Sequence, residues 1–275
     1  MDIVNVGIIM GKEIRDAWRN RWFILLSVIF AGLALAFSLF GYSGLGNMGV
    51  AGFGRTTASI LNLVLLIVPL MGLLLGASSI SSEREHGTLS ALLAQPVTPV
   101  EIISGKFLGL AAAISGTLFF GFGLSGWVIG FYGGIADISN YLVLAALTVL
   151  LAVLTLGIGF CLSVFNKKST TATGVAIFVW FLLLFISDLG MMGTAIVMRF
   201  APRVMLWLAM LNPVQVFRMA AIECIRGDLD ILGGTGIYAA ELFGDSLMGV
   251  LGILLALWVV LPFGLAVYSF RRRAL

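Results

Sequence analysis

The chain has 275 residues, 60% of them hydrophobic and 11% charged, with a formal net charge of +3. A soluble domain carries about 25% charged residues, so a water-soluble fold of this length is excluded. The basic residues cluster beside long apolar blocks, a pattern of membrane orientation and not of nucleic-acid binding. Cys161 lies inside an apolar block and Cys224 outside one, so no disulfide framework is expected.

Residues 3–18 come first, with Ile3, Val6, Met10, Ile14, Ala17 and Trp18 at helical spacing and Asn5, Lys12, Arg15, Asp16 and Arg19 opposite them. This predicts an amphipathic helix lying in the membrane interface, with Trp18 and Trp22 as anchors. The first apolar block then runs from Trp22 to Tyr42. It exceeds the roughly 7–15 residues of a cleavable signal core, so it reads as a retained span.

A helix rising about 1.5 Å per residue needs roughly 20 apolar residues to cross about 30 Å of hydrocarbon. Six blocks qualify: 22–42, 59–78, 107–131, 141–165, 174–198 and 247–270. The fold class is an all-α integral membrane protein of about six transmembrane helices, in a single domain over 1–275. With the N-terminus inside, the cytoplasmic segments hold Lys12, Arg15, Arg19, Arg21, Arg84, Lys106, Lys167, Lys168, Arg271, Arg272 and Arg273; the other side holds Arg55, Arg199, Arg203, Arg218 and Arg226. The excess places both termini in the cytoplasm, in the cell's inner membrane. Pro69 sits inside the second span, and Gly126, Gly130 and Gly134 offer a small-residue face at the end of the third.

The segment 80–106 between the second and third spans is the most informative. Ser82 and Glu85 have capping-box spacing, and Gly87 permits a sharp turn. Thr88 can start a short helix with Leu89, Leu92 and Leu93 on one face, and Pro96 stops it. Thr98, Pro99 and Glu101 then open a second helix, with proline at its first position and a capping-box glutamate. Two readings stay open: a short helix for a partner protein, or a well-capped loop with no partner.

Asp188 is the acid inside the fifth block. It either lines a path or locks a neighbouring helix, or it marks an early end of the span at the outer interface. Segment 199–246 is too long for a plain loop and too mixed for a span. Ala201 to Leu211 and Val214 to Cys224 are short apolar stretches broken by Asn212-Pro213, which predicts short re-entrant helices in the outer leaflet. Beyond Gly227 an acidic, glycine-rich outer cap is expected. Met191, Met192, Met198, Met205, Met210 and Met219 cluster here. Thioethers suit Cu(I), but methionine as apolar filler is the favoured reading, and no metal site is assigned.

Enzyme chemistry finds no support. His86 is the lone histidine, away from the serines of Gly41-Tyr42-Ser43-Gly44 and Gly123-Leu124-Ser125-Gly126, so no Ser–His pair forms. No zinc-protease sequence and no phosphate-binding glycine loop is present; Gly105-Lys106 lacks the upstream glycine and runs into Phe107. No catalytic residue is assigned, and the chain is expected to bind no cofactor.

From Glu83 to Lys106 the chain resembles the Gly-Thr-Leu, leucine-rich, proline-containing, Gly-Lys loop of ABC-2 type transporter permeases. The resemblance extends over nearly the whole chain, to the N-terminal helix, six spans, short outer helices with Leu211-Asn212-Pro213 and a basic C-terminus. Within the family it looks most like permeases of nitrous-oxide-reductase maturation transporters. That likeness rests on Arg19-Asn20-Arg21-Trp22, on Val179-Trp180-Phe181 followed by Asp188-Leu189, and on Leu211-Asn212-Pro213 followed by Phe217-Arg218. The resemblance implies a permease domain whose Glu83, Arg84, Glu85, Gly87, Thr88, Leu89, Leu92, Leu93, Pro96, Glu101, Gly105 and Lys106 form a coupling loop facing an ABC ATPase subunit, which binds ATP and Mg. It implies pairing with a second copy, a periplasmic accessory protein, and a role in assembling a copper–sulfur site, with copper, a sulfur species or mechanical work as cargo. The rival readings are an ion-coupled carrier or channel, which needs paired buried ionisable groups, and a non-transporting membrane anchor.

Overall fold

The computed structural model describes residues 2–43, 49–133, 138–186, 202–226 and 234–274. Among these there is no β-strand. The helices are α1 (Ile3–Ala17), α2 (Arg21–Ser43), α3 (Gly49–Glu85), α4 (Thr88–Leu93), α5 (Pro99–Gly133) and α6 (Ile138–Phe165). They continue with α7 (Ser169–Phe181, running into a π-helical turn Leu182–Ile186), α8 (Pro202–Met210), α9 (Pro213–Arg226), α10 (Gly234–Phe243) and α11 (Leu247–Ala274).

Five stretches are long and apolar enough to cross a membrane: Arg21–Phe40, Thr57–Glu85, Pro99–Phe131, Ser139–Phe165 and Gly234–Arg272. They match the predicted blocks 22–42, 59–78, 107–131, 141–165 and 247–270. The helices are longer than the blocks, so α3 runs into the predicted loop as far as Glu85 and α5 starts at Pro99. The predicted fifth span, 174–198, is described as far as Ile186. The predicted pair of short helices broken at Asn212-Pro213 is present: α8 and α9 meet at a bend of 108°, the shape of a broken span or of a re-entrant loop. The Asn212 Oδ1 accepts from Val214 N at 2.9 Å and so caps α9, and Pro213 follows as a first helical residue, where its missing N–H costs nothing.

The core pair is α3 and α6. Apolar side chains gain little by leaving lipid for protein, so membrane helices associate where small residues let backbones approach. A Cβ on Gly76 would lie 2.5 Å from Leu156 O, and one on Gly159 2.6 Å from Leu73 O. Ser163 Oγ accepts from Ile80 N and Ser81 N at 2.9 and 2.8 Å across this seam. The expected glycine face lies elsewhere in the sequence from this seam: a Cβ on Gly126 would meet only the Tyr141 ring, at 3.0 Å, and Gly134 lies outside the described residues. Phe107 packs between α6 and α11, edge-on to Phe160 at a ring-centroid distance of 5.5 Å and tilted against Phe263 at 4.3 Å.

The amphipathic N-terminal helix is present, and the buried stripe overlaps the expected one at Val6 and Ala17 but is turned to include Ile9 and Glu13. Val6, Ile9, Glu13 and Ala17 face the protein, while Ile3 and Trp18 are 85% and 53% exposed. The reason is a groove on α5: Cβ atoms on Gly105 and Gly109 would lie 2.8 Å from Ile9 Cβ and 2.7 Å from Met10 O.

Candidate functional site

Three consecutive charged residues end α3, and each holds a different part of the bundle. Glu83 Oε1 takes ion pairs from Lys12 Nζ at 3.0 Å and Lys106 Nζ at 2.9 Å. Lys106 Nζ also donates to Glu13 Oε1 at 2.5 Å. Lys106 and Glu13 are buried, so α1, α3 and α5 meet at a desolvated cluster of charges. Burial pulls the Lys12 ammonium down, but the hydrogen bond and charge of Glu83, with Glu13 and Asp16, outweigh it and raise its pKa.

Arg84 Nη1 donates to Val164 O at 3.1 Å and Asn166 O at 2.9 Å, carbonyls at the C-terminal end of α6. Glu85 Oε2 accepts from Ser169 N at 2.8 Å, at the start of α7. A cation thus meets the negative end of one helix dipole and an anion the positive end of the next.

Ser82 and Glu85 do not form the capping box their spacing suggests. The helix ends here instead of beginning: His86 N donates to Ser82 O at 3.0 Å and Gly87 N to Arg84 O at 3.3 Å. Gly87 then reverses the chain with φ +74°, a left-handed conformation that disfavours side chains. Thr88 Oγ1 donates back to Glu83 O at 3.2 Å.

The short helix α4 forms as expected, and its leucines turn towards the bundle. Leu89 is buried in the core, Leu92 and Leu93 are half-buried, and Leu93 packs against the core. The solvent side carries Thr88, Ser90, Ala91, Ala94, Gln95 and Pro96. The second capping box is as predicted: Thr98 N donates to Glu101 Oε2 at 2.9 Å and Glu101 N to Thr98 Oγ1 at 3.3 Å. Glu101 Oε1 also takes Asp2 N at 2.6 Å, which fixes the start of α1.

The predicted loop residues therefore form two sets. Glu83, Arg84, Glu85, Glu101, Gly105 and Lys106 hold helices together, and Gly87, Thr88, Leu89, Leu92, Leu93 and Pro96 build the attached α4. Sequence reasoning missed Glu13, although its place on the Val6, Ile9, Ala17 stripe marked it as a charge on a buried face. It also placed Lys12 on an open face and had no means to pair it with Glu83, which is remote in sequence. Asp188, Met191, Met192, Met198, Asp228 and Asp230 lie outside the described residues. Met210 and Met219 are core residues, and Cys161 and Cys224 are free thiols.

The comparisons with known proteins cover almost the whole length. A family model described as ABC-2 family transporter protein matches residues 8–275. The probable ABC transporter permease protein NosY of Pseudomonas aeruginosa is 30% identical over 276 residues, covering 98% of each chain. The protein of the same name from Stutzerimonas stutzeri is 29% identical, covering 96% of this chain and 97% of its own. The inner membrane transport permease YhhJ of Escherichia coli is 37% identical over 68 residues, 25% of this chain and 17% of its own.

Proposed function

Because the chain belongs to the ABC-2 family of transporter proteins and is the membrane permease subunit of an ABC transporter working with an ABC ATPase, we propose that α4 docks on that ATPase and that the end of α3 carries its motion into the bundle. The carrying observation is the run Glu83, Arg84, Glu85, which fastens the end of α3 to α1 and α5, to α6 and to α7 within one helical turn. A push on α4 cannot be absorbed by a slack loop, because only His86 and Gly87 separate α3 from α4 and Leu89 is seated in the core. The ATPase-facing surface is the small, neutral side of Thr88, Ala91 and Gln95, which lets another protein's backbone come close.

ATP and Mg belong to the ATPase subunit, and this chain hydrolyses no ATP alone. The basic-residue excess supports cytoplasmic termini and a cytoplasmic loop 80–106 in the inner membrane. A second copy of the chain completes the transport path. The likeness to NosY proteins over 98% of the chain supports service to a copper–sulfur site of nitrous oxide reductase, with a periplasmic accessory protein as recipient.

The test is co-purification of the ATPase with the detergent-extracted permease. Ala91→Trp is expected to insert and melt like the native chain yet lose the ATPase. Retention of the ATPase and of transport activity by Ala91→Trp and Gly87→Val would overturn the docking reading.

A further inference from the structure

The helix α7 is held differently from the rest of the bundle. Its fully buried residues are small: Ala172 and Ala176 sit against Leu73 and Ala77, with Val179 and Trp180 packed beside them. Ile177, Phe178, Phe181 and Phe185 are exposed.

Three hydrogen bonds add to that packing and fix its position. At the loop end, Ser169 N donates to Glu85 Oε2 at 2.8 Å. Further along, Trp180 Nε1 donates to Leu66 O on α3 at 2.9 Å, one turn before Pro69. At the far end, Asn212 Nδ2 donates to Leu183 O at 2.7 Å. Leu183 lies in the π-helical turn Leu182–Ile186, where a widened ladder offers carbonyls to side chains. In hydrocarbon no water replaces the Trp180 and Asn212 bonds once broken, so these two act as discrete joints, while the Glu85 bond lies at the exposed loop end.

The far joint has a second attachment. The same Asn212 side chain caps α9 through Oδ1 to Val214 N at 2.9 Å, at the corner where α8 and α9 meet at 108°. α9 is embedded, with Val214, Val216, Phe217, Ala220 and Ala221 buried. α8 buries Leu206, Ala209 and Met210 but leaves Val204, Trp207 and Leu208 exposed. A pull on Asn212 therefore changes the corner and moves α8, the freer arm.

We propose that α7 is a lever that carries motion of the loop end to the bent pair α8–α9, with Trp180 as its pivot on α3 and Asn212 as its output joint. The input joint Glu85 and the output joint at Leu183 are about 21 Å apart along the helix. The inference rests on the coupling reading, since Glu85 sits at the end of the segment that α4 moves. Trp180 and Asn212 are positioning residues: they touch no cargo in this scheme and act through α7.

The experiment uses the permease with its ATPase in lipid nanodiscs, with Cys161→Ala, Cys224→Ala and a reporter Leu208→Cys on α8. The rate of labelling by an impermeant methanethiosulfonate is read without nucleotide and with ATP plus vanadate. The lever predicts a nucleotide-dependent rate change of roughly 3- to 10-fold. Trp180→Phe keeps the ring and drops the donor; Asn212→Ser keeps a cap for α9 and gives up the reach to Leu183 O. Both are expected to bind the ATPase and turn over ATP as before, with the labelling ratio near unity. A merely structural role would lower melting temperature and yield and leave the ratio alone. An unchanged ratio in both variants, or no nucleotide response at Leu208→Cys in a complex that binds and hydrolyses ATP, would overturn the lever. Failure of the native chain to bind the ATPase would instead overturn the coupling reading.

Discussion

The two parts of segment 80–106 have opposite characters. Around Glu83, Arg84, Glu85 and Lys106, every charged group is engaged inside the chain, and Lys106 is 1% exposed. Around Ala91 and Gln95 the exposed surface is small and neutral. A charge-rich loop suggests electrostatic docking, but here the charges grip the permease and the neutral helix remains free. The difference teaches that the charges of this segment serve its own attachment: the Lys106–Glu13 contact is buried and costly to break, and the outer face of α4 is cheap to alter.

Lys106→Met is the hardest test of that contrast. It leaves Glu13 and Glu83 with only the more exposed Lys12, at 3.8 and 3.0 Å, and removing one member of a buried pair costs about 3–5 kcal/mol. We expect a large fall in melting temperature of the detergent-solubilised protein. Adding Glu13→Leu is expected to restore much of the loss, since Glu83 keeps Lys12 at 3.0 Å. A native-like melt for Lys106→Met would mean that the cluster does not hold α1.

Leu89→Ala comes next. Leu89 anchors α4 to the core at 9% exposure, and truncation of a buried leucine costs about 2–5 kcal/mol, with the low end expected at the bundle's edge. The loss is local, so amide exchange in 88–96 is expected to speed up while exchange in α6 stays slow.

Gly87→Ala isolates the turn. No atom lies within 4 Å of a Cβ there, so the cost is purely the left-handed backbone, about 1–2 kcal/mol. Gly87→Asn is expected to recover most of it, because asparagine tolerates that conformation. Equal stability of the alanine and asparagine variants would place the cost elsewhere.

Gln95→Ala closes the series. Gln95 is exposed, and such a change alters stability by no more than about 0.5 kcal/mol. Weaker ATPase co-purification at unchanged melting temperature would sharpen the contrast between grip and face; an unstable Gln95→Ala protein would break it.

The sequence by itself determined the membrane class, the positions of the long helices, the broken pair at Asn212-Pro213 and the capping box of Thr98 and Glu101. Each follows from local rules: the length of apolar runs, the missing N–H of proline, and the reach of a side chain to a neighbouring amide. Only the tertiary structure decided which face of α1 is buried, that Glu83 meets Lys12 and Lys106, that Arg84 and Glu85 cap the ends of α6 and α7, and that the α4 leucines point inward. In sequence, Ser82 and Glu85 looked like a helix start because spacing is the same whether a chain enters or leaves a helix. Ion pairs between residues far apart in sequence, such as Glu13 and Lys106, leave no periodic trace. They exist because Gly105 and Gly109 let α1 settle against α5 closely enough for the two side chains to meet.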